Sequence, residues 1–215
     1  MNENLYKPEH VISKSNKINN FYKKNKNYIF ISIIVFISFL GSVIFYLESK
    51  NEKKILLAEN YVEAKIFIIK DEKNKAKNIL RTIVYADDNT YSALSLFTLL
   101  DENLIDNKKD LSSMFDHVLK NNKFDKEIKN LIIFKKSLFQ SDFLSQKVLL
   151  KNLKPLIDGD SLWKPHALFL LGDYFFVKKE LNEAKKYYLQ VLSLKNLDAD
   201  LYKQATMQLA YITNE

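Results

Sequence analysis

The sequence predicts an all-α chain, with a single N-terminal transmembrane helix followed by an α-solenoid of helical hairpins. Three observations carry that prediction. Residues 28–47 form a run of twenty positions without a charge, fourteen of them Ile, Phe, Val or Leu. Only three Gly and three Pro occur in 215 residues, too few turn signals for an all-β fold. Beyond the run, apolar residues recur at helical spacing, as in Phe124, Ile128, Leu131 and Leu138, with Lys135 interrupting, and in Leu201, Ala205, Leu209 and Ile212.

The N-terminal segment, residues 1–27, is a polar tail with six Lys against two Glu. The apolar run follows. At 1.5 Å rise per residue, a helix of that length spans about 30 Å, the thickness of a bilayer's hydrocarbon core. It is too long for a secretory h-region, and Glu48-Ser49-Lys50-Asn51 offers no small-residue cleavage site, so it reads as an uncleaved signal anchor. Lys counts alone nearly tie across it: five in residues 8–27 and four in 48–67. The tail is short and cationic, whereas long domains translocate largely regardless of charge. The expected topology is therefore a cytoplasmic N-terminus with residues 48–215 on the far side.

The helices expected beyond the anchor run over 50–71, 73–86, 91–102, 109–120, 124–140, 143–156, 162–178, 181–194 and 198–213. Residues 48–54 contain no breaker, so anchor and first helix can be continuous. Most breaks place Asp, Asn, Ser or Thr ahead of the next apolar stripe, where a side-chain oxygen caps free N–H groups. Pro165 falls in a first turn, where the missing N–H costs least. The short connections imply antiparallel hairpins.

One internal echo stands out. Ala64, Phe67, Ala76, Leu80 and Ile83 recur with identical offsets as Gly172, Phe175, Ala184, Tyr188 and Val191. A small residue on each helix of a hairpin lets the backbones approach, and an aromatic fills the space beside them. This is the tetratricopeptide pattern of a 34-residue helix–turn–helix, with Leu171 and Gly172 in its order. The central section, 91–156, matches poorly: Thr98 and Asp110 stand one period after Ala64 and Ala76. A generic helical bundle is the competing reading.

Composition narrows the chemistry. Residues 1–54 carry nine Lys and four Glu, which leaves +2 of the net +7 for the rest of the chain. With Arg81 as the only Arg, nucleic acid is not an expected partner. No Cys is present, so disulfides, thiolate metal sites and Cys nucleophiles are excluded. His10, His117 and His166 are far apart without metal-ligand spacing, and three Gly cannot build a phosphate-cradling loop. Asp87-Asp88 and Asp101-Glu102 sit at helix ends, where capping and solvation explain them. No catalytic, cofactor or metal residue is assigned, and a non-enzymatic role is expected.

Four residues are candidates for binding a partner. Helix 50–71 carries more apolar residues, Tyr61 and Ile68 among them, than one core stripe requires. The excess serves either a neighbouring helix or another chain. Trp163, the only Trp, either packs on the preceding hairpin or binds. Phe176 and Tyr187 cannot both share their neighbours' face, which leaves aromatic surface for a groove or partner.

With anchor, repeat and C-terminal block assembled, the chain resembles the bacterial ancillary Sec translocon subunit family, the alphaproteobacterial members in particular. The similarity lies in Ala64 to Ile83, in Tyr91-Ser-Ala-Leu-Ser-Leu-Phe, and in Trp163-x3-Ala167-x3-Leu171-Gly172. It implies a single-pass inner-membrane protein with a periplasmic tetratricopeptide-like domain over 48–215. The implied partners are the Sec translocon, a membrane-anchored peptidyl-prolyl-isomerase-like chaperone and nascent secreted proteins. No binding residue transfers, because the matching positions are packing residues. A cell-envelope assembly or division scaffold of the same architecture is the alternative, and a small-molecule binder or enzyme a more distant one.

Overall fold

The computed structural model describes residues 9–214, with side chains over 19–213. Residues 1–8 of the expected tail lie outside the described residues. The chain divides into two compact units, Met1–Leu56 and Leu57–Glu215. Nine α-helices and no strands occur among the described residues: α1 (Glu9–Ile69), α2 (Lys73–Val84), α3 (Tyr91–Asp101), α4 (Lys108–Asn121), α5 (Lys126–Gln140), α6 (Gln146–Asp158), α7 (Lys164–Val177), α8 (Leu181–Leu192) and α9 (Ala199–Asn214).

In the first unit, the described part of the tail is helical, and the apolar run continues it without a break. The apolar side chains of residues 28–47 other than the partly buried Ile29 are exposed, and α1 is the one described helix long and apolar enough to cross a membrane. Ser42 donates its hydroxyl to the Ser38 carbonyl at 2.9 Å. That hydroxyl is thus satisfied inside the helix, as a hydrocarbon environment demands.

The second unit is an α-solenoid in which consecutive helices from α2 to α9 pack on one another. The boundaries follow the sequence signals with physical exceptions. Helix α6 begins at Gln146, not 143, because Phe143 and Leu144 close a turn onto the Gln140 carbonyl. Asn107 caps α4, its Oδ1 accepting from the Lys109 and Asp110 amides at 2.9 and 3.2 Å. For α3 the capping oxygen is Asp88, not the adjacent Thr90. Asp198 does the same for α9.

The first and last hairpins turn identically. Asp71 and Lys179 adopt left-handed φ values of 58° and 61°. In each, two amides return to the ending helix: Asp71 to Ile68 and Glu72 to Phe67, Lys179 to Phe176 and Glu180 to Phe175, at 2.8–3.0 Å. This closure satisfies orphan carbonyls without a glycine. The small residues sit where close packing needs them: Ala64, Ala76, Gly172 and Ala184 are fully or almost fully buried. Leu80, Leu171, Phe175 and Tyr188 are buried beside them, and Phe67 packs on the first core. A Cβ on Gly172 would stand 2.5–2.9 Å from ring atoms of Tyr188.

Three hydrogen bonds in the central section join residues the same distance apart in the chain. Lys123 N–H donates to Asn89, Lys135 to Asp101 and Ser161 to Glu127, each across 34 residues. The two positions that break the small-residue pattern are used otherwise. Thr98 Oγ1 lies 3.0 Å from the Tyr61 hydroxyl, and Asp110 pairs with Arg81 across the α2–α4 contact. One core spans α1 to α5 and a second spans α5 to α8, with Ile132 in the first and Ile133 and Phe134 packed on the second.

Candidate functional site

Helix α5 positions the site by turning its faces the unexpected way round. The stripe that identifies it as a helix, Ile128, Leu131 and Leu138, is not its buried face: Ile128 and Leu138 are 45% and 49% exposed. Asn130, Ser137 and Gln140 are buried instead. The two amides tie α5 to its neighbours, while the Ser137 hydroxyl is buried without a hydrogen-bond partner among the described residues. Gln140 donates to Ser112 on α4 and accepts from Asn152 on α6, while Asn130 donates to Ser161. Glu127 receives the Ser161 hydroxyl and the Leu162 amide at 3.2 and 2.9 Å, fixing the α6–α7 loop to the start of α5.

The outward stripe borders three clefts. Between α3 and α5, Ala93, Leu94, Phe97, Phe124, Ile128 and Leu131 line a largely apolar cleft of about 480 Å³, with Lys123 and Asp125 at its edge. Between α5, α7 and α9, Phe134, Leu138, Phe169 and Leu170 form a cleft of about 290 Å³. Its polar groups are His166, Asp173, Asp198, Asp200 and Gln204. A third cleft, of about 300 Å³, lies where Leu138 faces Tyr174 and Val177. Val177 is 77% exposed at its rim.

Asp173 contributes to the second and third clefts, and its Oδ1 accepts the Tyr188 hydroxyl at 2.7 Å. Burial raises its carboxyl above the ordinary range, opposed by that hydrogen bond. Burial likewise lowers His166, opposed by the Asp198 charge. Among the described residues no group of His, Asp and Glu is arranged to hold a metal ion.

The four sequence candidates all have partners within the unit. Tyr61 packs on the first core and bonds Thr98; Ile68 packs on the same core. Trp163 stacks on Phe134 of the preceding hairpin with centroids 5.6 Å apart. Phe176 meets Tyr211 of α9 edge-on, and Tyr187 stacks on Phe175. The aromatic surplus of α7 and α8 is therefore absorbed by α9 and by the hairpin itself. Sequence reasoning passed over Leu94, Ile128, Leu138 and Val177. The signal available was α5 itself, whose apolar stripe opposes an Asn-Ser-Gln stripe, but the pattern does not say which face a neighbour covers.

No family model matches this chain, and no curated protein or solved structure matches it.

Proposed function

We propose that this is a non-enzymatic, membrane-anchored protein-interaction module whose clefts along α3, α5 and α7 dock segments of other proteins. The observation that carries the reading is α5. It leaves Ile128 and Leu138 half in water and buries amides and a hydroxyl in their place. Exposed apolar area is lost driving force, at about 25 cal/mol per Å², which a docking segment recovers. A row of preformed clefts with apolar and polar walls binds peptides or helices without large rearrangement.

The finer reading keeps the tetratricopeptide-like repeat and the ancillary Sec translocon role. The short cationic tail stays in the cytoplasm and the helical domain faces the periplasm. The anchor holds the clefts at the translocon exit, raising the effective concentration for nascent secreted proteins and for a peptidyl-prolyl-isomerase-like chaperone. The echo of Ala64–Ile83 in Gly172–Val191 and the contacts across 34 residues support the repeat. Photo-crosslinkers placed at Leu94, Ile128, Leu138 and Val177 in native membranes test the docking. Adducts with translocon, chaperone or exported chains are expected. Recovery of none from any of the four positions refutes the role.

A further inference from the structure

The turns of α1 that lead into the apolar run sort their residues by face. At about 100° per residue, Lys23, Lys24 and Lys26 fall within an arc of about 160°, and Asn19, Asn20 and Asn27 lie inside it. The rest of the circumference over 19–28 belongs to Phe21, Tyr22, Asn25 and Tyr28. Asn25, the one amide among these aromatics, turns back on the helix and donates from Nδ2 to the Phe21 carbonyl at 3.1 Å. The three Lys and the three aromatics are all exposed. Depth follows from the helical rise: Lys26 stands about 3 Å and Lys23 about 7.5 Å before Tyr28, where the apolar run begins. Headgroups add about 5–7 Å to each side of the hydrocarbon core, so all three Lys lie within or beside that layer. No Asp or Glu occurs between Glu9 and Glu48, so no carboxylate of α1 comes within about 20 Å of them along the helix. The other end of the run differs. There Glu48 and Glu52 alternate with Lys50, Lys53 and Lys54, three Lys against two Glu, whereas residues 19–27 carry three Lys and no acid.

We propose that Lys23, Lys24 and Lys26 form a binding face for the headgroup phosphate of an anionic phospholipid, in the leaflet that the N-terminal end of the apolar run enters. The proposal rests on the reading of residues 28–47 as a membrane anchor. Attraction to an anionic membrane surface fades within about 8–10 Å at physiological salt, so Lys at headgroup depth dominate it. The Asn residues of the same face carry N–H donors suited to phosphate oxygens. On the opposite face, Phe21, Tyr22 and Tyr28 are the amphipathic rings that settle at a membrane interface and hold the helix at that depth. A lipid rather than a free anion is the ligand, because one face of one helix encloses nothing. The bilayer itself presents headgroups at this depth and at high effective concentration.

The test is electron paramagnetic resonance of the full-length chain in phosphatidylcholine vesicles with a trace of spin-labelled lipid. The immobilised signal reports how much of that lipid the protein holds. Spin-labelled phosphatidylglycerol should be held about threefold more than spin-labelled phosphatidylcholine, and the preference should shrink as salt is raised. Lys23→Gln, Lys24→Gln and Lys26→Gln together should bring the two lipids to parity. The same change at Lys50, Lys53 and Lys54 should leave the preference intact. Lys24→Asn with Asn25→Lys keeps the charge but moves it to the aromatic face, and should lower the preference. Inorganic phosphate at matched ionic strength should not compete. Equal retention of both lipids by the unaltered chain, equal loss from the two triple variants, indifference to the Lys24–Asn25 exchange, or displacement by inorganic phosphate overturns the proposal. Carbonate extraction of the vesicles separates the two claims. Release of the unaltered chain refutes the anchor and the lipid site together; retention without lipid preference refutes the lipid site alone.

Discussion

Gly172→Ala is the sharpest test of how the last hairpin is packed. In a helix interior this change ordinarily stabilises by about 1 kcal/mol, because alanine is the better helix former. Here the new Cβ would stand 2.5, 2.7 and 2.9 Å from three ring atoms of Tyr188, closer than any real contact. That ring cannot step aside: it is fully buried, and its hydroxyl is held by Asp173 at 2.7 Å. Overpacking costs about 1–3 kcal/mol, so with a rigid neighbour the net expectation is a loss of about 1–2 kcal/mol. For a unit of this size that lowers Tm by about 2–8 °C. The first hairpin shows the remedy, since the same positions hold Ala64 and Leu80, a larger residue facing a smaller one. Tyr188→Leu alone should cost about 2–4 kcal/mol through lost ring contacts and an unpaired Asp173 oxygen. Gly172→Ala with Tyr188→Leu should be no worse than Tyr188→Leu alone, a favourable coupling of at least about 1 kcal/mol. Urea unfolding of the chain in detergent, followed through Trp163, measures all four corners of the cycle. A Gly172→Ala variant as stable as the parent, or costs that simply add, would refute the close-approach argument.

Three further outcomes are expected. Asn107→Ala removes the oxygen that receives two α4 amides and should cost about 1 kcal/mol, read from the urea midpoint. Asp173→Asn keeps an acceptor for Tyr188 while removing a carboxyl whose folded pKa is raised by burial. A raised carboxyl favours the fold below its unfolded pKa and loses that contribution as pH rises through the folded value. The Asn variant should therefore match or exceed the parent at pH 7, and the advantage should vanish below about pH 4, measured as unfolding midpoints across pH. Glu127→Ala strips the Ser161 hydroxyl and the Leu162 amide of their acceptor. It should cost about 1–3 kcal/mol and raise hydrogen exchange at Leu162 and Trp163 first, before any change in α2 or α3.

The sequence by itself determined the helical class, the apolar N-terminal run and the position of nearly every helix. Each is written in local terms: a twenty-residue stretch without charge, a scarcity of Gly and Pro, and oxygen-bearing side chains such as Asn107 and Asp198 ahead of apolar stripes. The hairpin echo was legible for the same reason, because Ala64 and Ala76 or Gly172 and Ala184 meet within one helix–turn–helix. Facing was not legible. Periodicity identifies a stripe but not what covers it, and two helices resolve that question in opposite senses. On α5 the stripe of Ile128, Leu131 and Leu138 opens into clefts, while the amides of Asn130 and Gln140 find hydrogen-bond partners inside. On α1, Tyr61 and Ile68 face the core and Val62, Ile66 and Ile69 face out. A buried amide is tolerated only where partners from other helices converge on it, and those partners lie up to 31 residues away in the chain. That convergence belongs to the tertiary structure, which alone decided which apolar surface became core and which was left to bind.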